Sequence, residues 1–147
     1  METTRDAELT ELAARLRLAI TRTARRMRQE AGEGLSPTLT AALATIERNG
    51  PLTPSELAEL ERIKRPSATR IIGQLAEGGL VTKAPDPTDG RACLVSVSAE
   101  GKALLRRLRK RKNAYISRRL RELSPDDHAA LERAAELLEQ MLEGDAA

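Results

Sequence analysis

The chain has 147 residues, with 25 Lys and Arg against 22 Asp and Glu (net charge +3), 40% hydrophobic and 32% charged residues, the balance of one soluble globular domain rather than of a disordered or membrane-embedded chain. No apolar run approaches the ~20 residues of a membrane span, and the mixed charges of METTRDAELTELAARL lack the basic start and apolar block of a secretory leader, so a cytoplasmic location is the expectation. One cysteine, Cys93, and one histidine, His128, leave no intrachain disulfide and no Cys/His zinc set, and the absence of Phe and Trp removes the stacking platforms that single-strand and RNA binders use.

In chain order, Leu9, Leu12, Ala13, Leu16, Ile20, Ala24 and Met27 recur at steps of three and four, which predicts an amphipathic first helix of about six turns. Its other face carries Arg15, Arg17, Arg22, Arg25, Arg26 and Arg28, and Gly32 and Gly34 end it. Ser36-Pro37 supplies a capping hydroxyl and a proline at the first helical position, so a second helix follows, striped by Leu39, Leu43 and Ile46 as far as Asn49-Gly50. Thr53-Pro54-Ser55-Glu56 carries the elements of a capping box and starts a short third helix with Leu57, Ala58 and Leu60 as its apolar face. Lys64-Arg65-Pro66-Ser67 opens a fourth, with Ala68, Ile71, Ile72 and Leu75 inward and Gly78-Gly79 as its stop. Two short helices joined by a tight turn form a helix-turn-helix pattern.

Residues 80–84 and 92–97 read as strands, the second alternating Cys93, Val95 and Val97 against Leu94 and Ser96. The PDPTDGR between them breaks both strands and makes a charged hairpin tip, a wing. From a Ser98 cap a long helix runs to about Leu123 with Leu104, Leu105, Leu108, Tyr115, Ile116, Leu120 and Leu123 on its buried side. Ser124-Pro125-Asp126-Asp127 starts the last helix, striped by Leu131, Ala134, Ala135, Leu138, Met141 and Leu142. The fold class is therefore mainly α with a small β wing.

A helix-turn-helix places its second helix in the ~12 Å major groove while the first braces it. That helix needs donors on its exposed start and no carboxylate against phosphate. Here the outward set is Arg65, Pro66, Ser67, Thr69, Arg70 and Gln74, none of them acidic. Arg70 suits the bidentate edge of guanine and Gln74 that of adenine, whereas Lys64, Arg65, Ser67 and Ser55 suit phosphates, with Ser36, Thr38 and Thr53 as supporting phosphate contacts. Arg91 at the wing tip is placed for the adjoining minor groove, with Asp89 two residues earlier able to orient it. The bland alternatives are a solvated helix face and an ordinary aspartate-held turn. No nucleophile with a base, phosphate-cradling glycine loop or metal-ligand cluster is present, so the chain is not expected to be an enzyme or to hold a cofactor.

The run TPSELAELERIKRPSATRIIGQLAEGGLVTKAPDPTDGRACLVSVSAEGKALL resembles the winged-helix core of the multiple-antibiotic-resistance regulator (MarR) family: RPSATR, the LAEGGLV exit, the wing DGR and the Ser-x-x-Gly start of the next helix carry the likeness, which spans about residues 10–142. The resemblance implies one domain in which residues 36–98 form the DNA-binding core and residues 5–32 and 99–143 the dimerisation helices. It also implies a homodimer on palindromic double-stranded DNA, a repressor, and often a pocket for a small organic effector, such as an aromatic acid, between those parts. Two departures stand out. The family wing often reads Asp-x-Arg-Asp-x-Arg, but Thr88 replaces the first arginine, and Lys64 occupies the cap position where serine is common. Losing that capping bond costs roughly 0.5 to 2 kcal/mol, against a gained phosphate-seeking charge.

Three features remain open in the sequence. The run RRLRKRK at residues 106–112 either flanks DNA or only solvates its helix, and solvation is favoured because helices after the wing lead away from DNA in the resembled family. Cys93 reads as a small core residue rather than a redox sensor. The apolar stripes of the first and last helices exceed what a small winged core can cover, which points to an intermolecular bundle. The rival to a DNA-binding regulator is a winged-helix dimerisation module that binds no DNA.

Overall fold

The computed structural model describes residues 1–32 and 34–146. Six helices and two strands follow in the order α1 (Glu2–Ala31), α2 (Pro37–Asn49), α3 (Pro54–Glu61), α4 (Arg65–Glu77), β1 (Val81–Pro85), β2 (Cys93–Val97), α5 (Ala99–Arg121) and α6 (Pro125–Ala146). They divide into two compact units: a helical one of Met1–Glu30 with Arg111 onward, and a winged one of Ala31–Lys110. No helix among the described residues is long and apolar enough to cross a membrane.

In the winged unit the helix starts are made by the side chains that mark them in the sequence. Ser36 Oγ accepts the Leu39 N–H at 3.2 Å. Thr53 Oγ1 accepts the Glu56 N–H at 3.2 Å while the Glu56 carboxylate accepts the Thr53 N–H at 3.3 Å, a closed capping box that satisfies two otherwise orphan amides. The turn from α3 to α4 is made by Arg62, which holds the left-handed conformation at φ 55, ψ 46 and ends α3 through its own N–H. At the far end of α4, Gly79 adopts φ +73 and the Leu80 N–H reaches back to the Leu75 carbonyl at 2.9 Å, which closes the helix and sends the chain into β1.

β1 and β2 pair antiparallel, with Val81 opposite Val97 and Pro85 opposite Cys93. Pro85 thus closes the strand that the sequence ends at Ala84, tolerable because β1 is an edge strand. Leu52 adds a one-residue third strand through two hydrogen bonds with Val95, 3.1 and 2.8 Å. Leu43, Ile46, Leu52, Leu57, Leu75, Val95 and Leu105 are fully buried, and Cys93 and Val97 pack against them. Each such aliphatic contributes about 1.5–3 kcal/mol through removal from water. The first turn of α5 is clamped to this core: Ser98 Oγ donates to the Gly79 carbonyl at 2.6 Å and accepts the Gly101 N–H at 3.0 Å. A side chain at Gly101 would collide with the Leu80 carbonyl oxygen, so the Ser-x-x-Gly spacing is a packing requirement.

The helical unit contains α1, the later part of α5, and α6. Ser124 Oγ caps α6 by accepting the Asp127 N–H at 3.1 Å, and the His128 ring bonds the Leu120 carbonyl. Arg26 pairs with Glu30 at 2.8 Å, Arg118 reaches the same carboxylate at 3.5 Å, and both guanidinium groups lie 6.0 Å from the Tyr115 ring centre. None of the described residues of this unit is buried. Leu123, expected on a buried side, is 40% exposed, and Leu9, Leu12, Leu131, Met141 and Leu142 are more exposed still.

Candidate nucleic-acid interface

The geometry of α4 follows from its inward residues. Ala68, Ile71, Ile72 and Leu75 are buried at steps of three and four, and this fixes the opposite face toward solvent. Arg65, Pro66, Thr69, Arg70 and Gln74 are exposed on it, while Ser67 sits half-buried at its margin. Lys64 is the N-cap and makes no side-chain capping bond. The first-turn amides are therefore left without a side-chain acceptor, at the positive end of the helix dipole and beside two cations, an arrangement that favours an anion.

The supporting hydroxyls fall into two groups. Those of Ser36 and Thr53 serve as caps, and Thr53 also donates to Glu56 at 3.1 Å. Ser55 is exposed on the first turn of α3, and Thr38 lines a cavity of about 310 Å³ with Pro37, Ala41, Glu61, Ile63 and Ile71.

The wing tip is built by two aspartates acting on the backbone. Asp86 Oδ1 accepts the Thr88 N–H at 2.9 Å and its hydroxyl at 2.8 Å, and these bonds, the backbone one foremost, hold its carboxyl below the usual aspartate range. Asp89 Oδ1 accepts the Arg91 backbone N–H at 3.1 Å, and the Ala92 N–H closes on the Asp89 carbonyl at 3.0 Å. Asp89 therefore shapes the turn rather than gripping the Arg91 guanidinium. That group is exposed and has no carboxylate partner among the described residues. Thr88, standing where a second wing arginine is common in the resembled family, is consumed in the Asp86 turn.

Gly73 is the residue that the sequence reading passes over. It lies in the middle of α4, one turn after Thr69, and a Cβ built on it meets no atom within 4 Å. Packing does not require glycine there, and a helix-interior glycine costs about 0.8–1 kcal/mol relative to alanine. Its effect is to leave the outward face of α4 bare between Thr69 and Gln74. The signal was a lone glycine inside a helical pattern, which normally has a packing or approach reason. Glu77, the only acid in α4, lies in the last turn, so the acid-free stretch is the N-terminal part of the helix.

Comparison with known proteins bears on what such a surface belongs to. Residues 33–92 match the model of the MarR family. An uncharacterised HTH-type transcriptional regulator of Mycobacterium leprae is 38% identical over 133 residues, covering 90% of this chain and 93% of the relative. A Pseudomonas aeruginosa PA01 protein known from its crystal structure is similar at 31% identity, with a TM-score of 0.83 and coverage of 92% of this chain and 96% of that one. Streptococcus pneumoniae FabT, crystallised in complex with DNA, shares the fold at 15% identity with a TM-score of 0.69, over 93% of this chain and 96% of its own.

Proposed function

The chain belongs to the MarR family of transcriptional regulators, and from that premise we propose that it binds double-stranded DNA sequence-specifically as a homodimer. In this reading it represses transcription at palindromic operators and is released by a small organic effector. The observation that carries the reading is the acid-free outward face of α4, where Arg65, Thr69, Arg70 and Gln74 stand exposed around an uncapped, cationic helix start. Arg70 and Gln74 have the donor geometry for base edges, and Lys64, Arg65, Ser67 and Ser55 that for phosphates, with Ser36, Thr38 and Thr53 at or near the starts of the bracing helices. Arg91, whose guanidinium has no ion pair among the described residues and which stands on a turn that Asp89 shapes, suits the minor groove. FabT, taken into a crystal with DNA, has the same fold.

Dimerisation is supported by the helical unit, which buries none of its described residues and holds an apolar groove of about 570 Å³ lined by Ile116, Leu120, Leu123, Leu131 and Ala135 among others. A stripe of that kind is covered by a second copy in a two-fold bundle, and a two-fold protein reads a two-fold site. For the effector, the supporting feature is a cavity of about 380 Å³ in the same unit, where Arg22, Arg25, Arg26 and Gln29 of α1 face Tyr115, the one tyrosine of a chain without Phe or Trp. Cations around an aromatic face suit an aromatic acid.

Selection of bound duplexes from a random pool tests the reading. The expected product is a two-fold-symmetric site with half-sites about one helical turn apart. A pool that stays random, with no duplex binding even at low salt, leaves the dimerisation module as the function.

A further inference from the structure

The chain's charge is not shared between its units. Thirteen Lys and Arg meet thirteen Asp and Glu in the helical unit, which is neutral, so the whole net charge of +3 resides in the winged unit. Within that unit five of the twelve cations, Lys102, Arg106, Arg107, Arg109 and Lys110, lie on α5 between Gly101 and Lys110, a stretch with no acid at all. The remaining seven cations of the winged unit face nine acids. Without α5, the unit that carries the helix-turn-helix and the wing would be net negative, the wrong sign for a polyanion.

The placement of these side chains is set by packing. Gly101, Leu105 and Leu108 are buried, and this turns Lys102, Arg106, Arg107 and Lys110 outward, all four exposed. Arg109 is held apart from them by an ion pair with Glu47 of α2 at 2.8 Å. The other four have no carboxylate partner among the described residues. No large apolar side chain shares their face, which distinguishes it from the α1 and α6 stripes and from a protein-docking surface. The Ser98 and Gly101 contacts clamp the start of this helix to the exit of α4 and the base of the wing, so the face is carried with the reading elements.

We infer that the outward face of α5 formed by Lys102, Arg106, Arg107 and Lys110 is a second phosphate-contacting surface for duplex DNA, adding sequence-independent affinity to the contacts of α4 and the wing. The inference rests on the duplex-binding reading above. It reverses the expectation that the 106–112 run only solvates its helix, because solvation explains neither the absence of acids nor the concentration of the chain's excess charge on this one face.

The test uses the full-length triple variant Arg106→Gln, Arg107→Gln, Lys110→Gln, with folding checked by circular dichroism and self-association by sedimentation. Affinity for a long duplex is measured across a salt series for wild type, for the triple variant, and for a control with Arg15→Gln and Arg17→Gln on α1. Each lost phosphate contact flattens the slope of log affinity against log salt by about 0.9, so the triple variant is expected to be shallower by two to three per bound protomer, with similar losses on specific and nonspecific DNA, and the control unchanged. An unchanged slope in the triple variant overturns the inference while leaving the functional reading intact. So does loss of self-association in that variant, which would make the acidic α6 of a second copy the occupant. Wild type that binds no duplex at low salt overturns the functional reading itself.

Discussion

Both units of this protein draw their apolar surface mainly from Leu, Ile and Ala, with Val confined to the winged unit and Met to the helical one and no Phe or Trp in either, but among the described residues only the winged unit closes a core. Leu43, Leu57, Leu75 and Val95 have no exposure there, whereas Leu9, Leu131, Met141 and Leu142 of the helical unit are 47 to 69% exposed. The difference is one of geometry. In the winged unit short helices cross a hairpin and cover each other's stripes from several sides; in the helical unit three long helices offer stripes that are not filled. A stripe that one chain leaves open is specification for a second chain, so the first kind of apolar residue contributes to folding and the second to association. The charges follow the same division, neutral in the helical unit and positive in the unit that presents α4 and the wing.

Substitutions that treat the two kinds of residue alike probe this contrast most directly. Leu75→Ala, at a fully buried position, is expected to destabilise the winged unit by about 2–5 kcal/mol at any protein concentration, read by chemical denaturation. Leu131→Glu, at a position 47% exposed in the single chain, is expected to cost little within one chain but to raise the dimer dissociation constant by more than tenfold, equivalent to about 2 kcal/mol at an interface centre. Sedimentation at several concentrations reads it, and unchanged self-association would mean that the stripe is not the dimer face. Arg70→Ala leaves both packing surfaces untouched. It is expected to lose about 1–3 kcal/mol on the selected operator and much less on random duplex, with Arg91→Ala weaker and confined to sites with A/T-rich flanks. The smallest effect is the most diagnostic of the α4 face: Gly73→Ala should stabilise the fold by about 0.5–1 kcal/mol while weakening operator binding, a split that a purely structural glycine would not give.

Much of the fold is written in local signals. Ser36, Thr53, Ser98 and Ser124 cap or clamp the helix starts they mark in the sequence, and the inward residues of α4 follow from their spacing alone. Because the inward set fixes the outward set, the candidate contacts Arg65, Thr69, Arg70 and Gln74 were legible as well. Ser67 was less so, since its half-buried place at the margin depends on what α4 packs against. For Asp89 the sequence favours an orienter of the Arg91 side chain, with an aspartate-held turn as the bland alternative; that its carboxylate takes the backbone N–H of Arg91 instead needs three-dimensional distances. Leu52 could not be foreseen as a strand, because one residue between Pro51 and Thr53 has no alternation to show.

By itself, then, the sequence determined the periodicities, caps and breaks that specify six helices and a hairpin, together with the chemistry available on α4 and the wing tip, because these depend on interactions within a few residues. Only the tertiary structure decided which apolar stripes are covered and which stay open. It also decided that the backbone of Gly101 meets Leu80, that Gly73 is bare without a packing reason, and that Lys102, Arg106, Arg107 and Lys110 share one exposed face of α5 with no carboxylate partner among the described residues. Those are properties of approach between distant segments, which spacing along a chain does not encode.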